Sequence, residues 1–394
     1  MSAFWTVTTV LLFAASAYVL GRARALACVN GDVRKLHSLP GHYGWATVFY
    51  ALVPGLALFA LLQIGTPLAP LDTIAAVVLA LAGLFWSLRR ITADLRARKT
   101  VEFVALVLLI LAACVAIATT AGIIASLVFE TQNFFAQYGW RDFFLSTTWA
   151  PRFQGNSDLG FLPLLWGTLY ISAIALVFAV PVGLFAAIYM AEYAGRRFRG
   201  VVKPLIEILA GIPTIVYGLF ALITVGPLLR DYFAQPLGLG SSGSSVMTAG
   251  LVMGIMLIPF VSSLSDDIIS QVPQSLRDGS LCLGATQSET IRQVILPAAL
   301  PGIVGAVLLA ASRAIGETMI VVLGAGAAAK LSLNPFEAMT TITVKIVSQL
   351  TGDSDFAAPE TLVAFALGLT LFAITLCLNV VALVIVRKYR EQYE

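Results

Sequence analysis

The sequence predicts an all-α fold, a polytopic transmembrane helical bundle, and three observations predict it. Of 394 residues, 59% are hydrophobic and only 11% charged, with a mean hydropathy of +0.92. A soluble domain carries about 25% charged residues, so this chain has too few to cover a water-exposed surface of its size. Nine apolar runs approach or exceed the roughly 20 residues that a helix needs to cross hydrocarbon. Basic residues, finally, gather in alternate connecting segments. A net charge of +3 therefore says little about nucleic acid, because the placement of the cations matters more than their sum.

The runs fall at about 3–20, 44–65, 71–88, 101–129, 160–190, 204–229, 246–264, 298–323 and 361–386. Each reads as a helix, since an open strand edge finds no hydrogen-bond partner in lipid. The third is short and carries Asp72 at its edge. The segments 21–43, 89–100, 196–203, 277–292 and 387–390 hold 18 basic residues, and the intervening ones hold five. By the positive-inside rule, this places the amino terminus outside and the carboxyl terminus in the cytoplasm, as an odd number of spans requires. Residues 1–20 read as an outward-to-inward first helix and not as a cleaved leader, because no basic residue precedes the run and a basic cluster follows it.

Residues 1–100 form an amino-terminal extension of three spans, and residues 101–394 hold six spans with longer outer loops. The loops 130–158 and 324–360 contain Trp140, Trp149, Pro151 and Pro335 and are expected to be folded, whereas "GLGSSGSS" within 230–245 reads as a flexible turn. Cys28, Cys114, Cys282 and Cys377 have no ligand-like spacing and read as reduced packing residues. His37 and His42 alone are too little for a metal site, and none is expected. Gly250 and Gly254 form a close-packing pair. Glu207, in the first turn of the expected sixth helix, reads as structural, since a helix amino terminus favours negative charge.

The segment 266–302, "DDIISQVPQSLRDGSLCLGATQSETIRQVILPAALPG", is more polar than the spans, yet its aliphatic residues recur at nearly helical spacing. Pro273 precedes one short helix, Gly284 breaks it, Thr286 caps the next, and Pro297 opens the membrane helix. On pattern alone this is either an amphipathic segment lying on the bilayer or a knob presented to a cytoplasmic partner. Asp278-Gly279-Ser280, then Gly284, then nine residues to Val294-Ile295-Leu296-Pro297, resembles the EAA signature of ABC-importer permeases, with "DGS" standing where that family has "EAA". "FLPLLWGTLYIS", "AIYMAEYAG", "EILAGIPTIVYGLF" and "SRAIGETM" resemble the phosphate-specific permeases of that family, and "FFLSTTWAP" favours the PstC over the PstA type.

The resemblance covers residues 101–394 and implies a six-helix ABC-importer permease core in a bacterial inner membrane. It further implies that the loop 266–297, through Asp278, Gly279, Ser280, Gly284, Leu296 and Pro297, docks in an ATPase subunit. The implied partners are a homologous permease (PstA type), an ATPase dimer (PstB type) that uses ATP and Mg, and a periplasmic phosphate-binding protein (PstS type).

Within "LAASRAIGETMIV", Arg313 lies about 22 Å along a helix from Ala298, beyond the bilayer's middle. A charge there costs at least about 3 kcal/mol and should face protein or a wet cavity. On a continuous helix Glu317 stands at i+4 on the same face, so an intrahelical ion pair is one reading. The other is an anion way-station. A guanidinium offers a planar fork of donors to phosphate oxygens, and a neighbouring carboxylate both weakens that grip and accepts a hydrogen bond from a P–OH. In the resembled family this arginine and glutamate are implicated in phosphate passage, and they fall here on Arg313 and Glu317.

No G-x4-G-K-[ST] occurs, and "GAGAAAKL" lacks its ending, so this chain is not expected to be an enzyme or to bind a cofactor of its own. Importing an anion against about 100 mV costs roughly 2.3 kcal/mol per charge, and a 10⁴-fold gradient adds roughly 5.5 kcal/mol. A separate ATPase would supply that. The alternatives are a permease for another oxyanion, an anion channel, which would need no docking loop, and a secondary carrier, which usually holds several intramembrane acids.

Overall fold

A computed structural model describes residues 3–64, 69–152, 157–352 and 358–390. The chain divides into two compact units, 1–122 and 123–394, and the division falls within one long helix.

The first unit begins with α1 (Ala3–Cys28), α2 (Pro40–Ile64), α3 (Ala69–Arg90) and the start of α4 (Ala97–Gln137). The first helix runs past the expected end at residue 20, because "RARALA" consists of good helix formers, so Arg22 and Arg24 are helical and not part of a loop. Small residues let the first three helices approach closely: a methyl on Gly21 would strike Thr47, one on Gly44 would strike Tyr18, and one on Gly83 would strike the Tyr50 carbonyl. Buried Tyr43 pins the turn after α3, its hydroxyl donating to the carbonyls of Ala93 (3.1 Å) and Leu95 (2.9 Å). The second and third expected spans fall on α2 and α3, whose facing ends, 60–73, lie outside the described side chains.

In the second unit α4 continues into α5 (Trp140–Leu145), a two-stranded antiparallel ribbon, β1 (Trp149–Ala150) with β2 (Asp158–Leu159), and α6 (Leu162–Ile188). A π-turn (Tyr189–Tyr193) leads to α7 (Arg196–Gly211), then α8 (Thr214–Phe220) and α9 (Gly226–Leu229), joined and followed by further π-turns. Next come α10 (Val246–Gln271), α11 (Gln274–Cys282), α12 (Gln287–Thr290), α13 (Leu296–Ile315), α14 (Met319–Gly324), α15 (Ile342–Gly352) and α16 (Pro359–Arg390).

Among the described residues, seven helical stretches are long and apolar enough to cross a membrane: Leu11–Cys28, Ala97–Gln137, Leu162–Tyr193, Thr214–Ala234, Val246–Gln271, Gln287–Ile315 and Pro359–Lys388. The expected sixth span, 204–229, is corrected. Pro213 cannot donate to the helix ladder and disfavours α geometry at Ile212, so α7 stops at Gly211 and the spanning helix starts at Thr214. Glu207 therefore lies in the fourth turn of an amphipathic helix, exposed, and not at the amino terminus of a span. The expected eighth span, 298–323, is also interrupted, at Gly316 to Thr318.

The core is organised around α10, which packs along α6. Gly250 meets Ile174, and Gly254 meets Ala175 and Phe178, as a close-packing pair should. A second core of Phe134, Phe143, Phe161 and Leu164 with Leu362, Val363 and Leu367 anchors the loop after α4. The loop after α14 is likewise folded: Trp166 Nε1 and Tyr170 OH donate to the carbonyls of Ser332 and Leu333, each at 2.8 Å. Its return path presses the Thr340 carbonyl against Gly167, where a methyl would collide with it. We expect Gly167→Ala to cost about 1–3 kcal/mol, read as a lower melting temperature of the purified chain. All four cysteines are free and exposed, so they are not the packing residues that the sequence suggested.

Candidate functional site

Arg313 is in the last turn of α13, on an exposed stripe with Leu309 and Gly316. Its guanidinium carbon lies 4.3 Å from the centroid of the Phe260 ring on α10. Among the described residues no carboxylate pairs with it; the intrahelical ion pair is absent.

The reason is local. Gly316 favours helix least among the residues here, and it caps α13 at Ile315, so Glu317 leaves the helix that would have set it at i+4. Its carboxylate instead turns onto the start of α14, where Oε1 accepts from the amides of Thr318 (3.1 Å), Met319 (3.1 Å) and Ile320 (3.5 Å). Those are the orphan donors of a helix start, and a buried acid satisfies them. The Glu317 carbonyl accepts from Thr343 Oγ1 at 2.8 Å, tying the break to α15. On α15, Lys345 donates to the Ala327 carbonyl at 3.1 Å, and burial pushes its pKa down.

The segment after α10 forms the expected pair of short helices. Gly284 has φ +91°, a conformation that glycine adopts without penalty, and it separates α11 from α12. Thr286 and Glu289 form a reciprocal capping box. Ser280 Oγ meets Thr290 Oγ1 at 3.0 Å, Asp278 accepts from Gln274, and Gly279 faces open space. Leu283, at the turn between the helices, is 92% exposed. The helix does not begin afresh at Pro297. It runs from Gln287 through a π-turn (Ile291–Ile295), and the Leu296 amide reaches back to the Ile291 carbonyl just before the residue that has no amide to give.

Two ionic clusters built on buried or nearly buried carboxylates, one joining α11 to α10 and the π-turn after α6 and the other joining α7 to α10, were missed in the sequence. Arg277 on α11 donates to Glu192 Oε1 (2.9 Å) and to the carbonyls of Ile269 (2.7 Å) and Val272 (2.6 Å) at the end of α10. Gln287 adds a bond to the Glu192 carbonyl at 2.7 Å. Fully buried Asp266 receives Arg199 at 2.9 Å and Lys203 at 2.8 Å. The hydrogen bonds to Asp266 and Asp267 raise the Lys203 pKa. For Glu192 the signal was one acid amid apolar neighbours, and for Asp266 an acid pair closing an apolar run; their partners lie more than 60 residues away.

A groove of about 880 Å³ passes between α10, α11, α13 and α16, beside Leu276, Gly302 and Leu309. Its mostly apolar walls suit a hydrocarbon surface better than an anion.

Residues 179–391, which hold every candidate residue above, match the binding-protein-dependent transport system inner membrane components. The chain belongs to that family. Residues 7–76 match a second family, described as phosphate ATP-binding cassette transporter. "Phosphate transport system permease protein PstC 1" of Mycobacterium tuberculosis is 37% identical, over 62% of this chain and 81% of the relative. "Phosphate transport system permease protein PstC" of Mesorhizobium japonicum is 33% identical, over 69% and 85%. As an inner membrane component, the chain is a transport permease that works with an ATPase and a substrate-binding protein.

Proposed function

We propose that the chain is the PstC-type permease subunit of an ATP-driven phosphate importer. The observation that supports it best is a guanidinium exposed in an apolar span, with no carboxylate partner among the described residues, on the same helix that the two-helix knob feeds. Relatives named for phosphate transport support the choice of oxyanion. Arg313 offers the phosphate donors. Glu317 Oε1 is taken by backbone amides, which leaves Oε2 to accept from a P–OH, a bond that fully ionised sulfate cannot make.

The exposed Leu283 turn, with Asp278, Gly279, Ser280 and Gly284 around it, docks in the PstB-type ATPase. Leu296 and Pro297 carry the push into α13, and alternating access follows. The folded outer loops receive the PstS-type binding protein, and a PstA-type permease completes the pathway. The amino terminus lies outside and the carboxyl terminus in the cytoplasm, as the basic residues suggest.

The test is radiolabelled phosphate uptake by the reconstituted complex. We expect uptake to require ATP and the binding protein and to resist a large excess of sulfate. ATP-independent uptake, or equal competition by sulfate, would overturn the reading.

A further inference from the structure

The first unit contains a basic cavity for which the transport reading has no use. It has a volume of about 600 Å³ and is lined by His37, His42, Arg96, Arg98, Lys99 and Glu102, among others. Two segments about 60 residues apart build it, and they are stapled together. The His37 amide donates to the Ala93 carbonyl at 3.0 Å, the Arg98 amide donates to Ser38 Oγ at 3.3 Å, and Tyr43 bonds the Ala93 and Leu95 carbonyls. The cations are therefore presented by a fixed turn.

Their charges are poorly compensated. Only Arg98 has a carboxylate, Glu102 Oε1 at 2.6 Å, while Arg96 and Lys99 have no ion pair among the described residues. Arg98 and Lys99 stand in the first turn of a 41-residue helix and Arg96 immediately before it; that amino terminus is itself positive, so each cation there is unfavourable by about 0.3–1 kcal/mol. The turn's own amides do not supply an anion site. Those of Lys99 and Thr100 donate to the Arg96 carbonyl, so side chains must provide any grip. His42 adds a ring nitrogen, Nδ1, that is buried with no hydrogen-bond partner among the described residues.

We propose that this cavity binds a phosphoryl group, held by Arg96, Lys99 and the imidazole of His42, with Arg98 kept in place by Glu102. Donors converging from two segments match the several oxygens of a tetrahedral phosphoryl group, which a carboxylate does not present. The cavity has room for more than one such group. The phosphoryl belongs either to an anionic lipid headgroup or to phosphate free in solution, and the experiment distinguishes the two sources.

Full-length chain carrying Arg313→Gln, which removes the candidate transport site, is placed in phosphatidylcholine nanodiscs and titrated with inorganic phosphate by equilibrium dialysis. In a parallel arm, nanodiscs containing phosphatidylglycerol are used, and lipid retained on the purified chain is counted by native mass spectrometry. The double variant R96Q/K99Q is expected to weaken binding by about tenfold or more in one arm, and that arm names the source. Both residues are exposed and unpaired, so the variant should keep its melting temperature. A control, R22Q/R24Q, removes two exposed cations outside the cavity and should leave binding unchanged. No difference in either arm, or an equal loss in the control, would overturn the proposal. Either outcome is independent of whether the chain imports phosphate.

Discussion

Replacing Arg313 with glutamine should cut phosphate uptake by roughly 10- to 150-fold while leaving assembly with the ATPase and the substrate-binding protein intact. A guanidinium at this depth costs about 2.5–3.5 kcal/mol on insertion scales. The contact with the Phe260 ring returns about 0.5–2 kcal/mol, so the charge is not retained for the stability of this chain. Glutamine leaves no buried acid unpaired, because no carboxylate in the described residues depends on Arg313. Abundance should hold or rise. Transport should fall, since losing a charged hydrogen bond to the anion costs about 1.5–3 kcal/mol, roughly 10- to 150-fold.

Arg313→Lys keeps the charge and loses the fork, so it should fall between. Glu317→Gln keeps an oxygen for the three amides of α14 and should alter selectivity over sulfate without altering the fold. Glu317→Ala also removes the cap, at about 0.5–2 kcal/mol. Uptake rates measured beside co-purification of the partners separate these outcomes. Normal transport by Arg313→Gln would remove the guanidinium from the pathway.

What the sequence revealed follows from what is local. The two-helix knob was legible because its signals lie within a few residues of their effects: Gly284 at a positive φ, Thr286 answering Glu289, and an aliphatic stripe at helical spacing. The small-residue contact of α10 was legible from Gly250 and Gly254 for the same reason. Helix breaks inside apolar stretches were harder to see. Pro213 gave a clear local signal that the uniform hydropathy around it concealed. Gly316 ends α13 and Glu317 then supplies the amides of the next turn with an acceptor, a task for which glutamate is not the usual residue. The partners of Asp266 and Glu192 were not legible at all. Their pairing is set by how α7 and α11 fold back, which no spacing along the chain encodes.

Arg277→Met should uncouple ATP hydrolysis from transport, and it should cost more stability than Glu192→Gln at its partner. From α11, Arg277 binds two other elements at once: Glu192 in the π-turn that follows α6, and the last carbonyls of α10. The pair is 13% and 10% exposed, so water cannot replace the lost bonds cheaply. Removing the guanidinium strands a nearly buried carboxylate and takes a donor from two helix-end carbonyls, of which Ile269's keeps the Val272 amide, and this places the loss at about 3–5 kcal/mol. Glu192→Gln keeps an acceptor for Arg277, and the two carbonyl bonds survive, so it should cost about 1 kcal/mol. The two variants therefore differ in stability, whereas a bridge valued only as an ion pair would make them equal. Function should follow the same order. If α11 is the piece an ATPase moves, the clasp converts that motion into displacement of α6 and α10, and without it ATP turnover continues while uptake falls. Unfolding midpoints of the purified chain, beside uptake per ATP hydrolysed in the reconstituted complex, give both readouts. Equal midpoints for the two variants, or an unchanged transport ratio in Arg277→Met, would show that the knob drives the membrane helices by another contact.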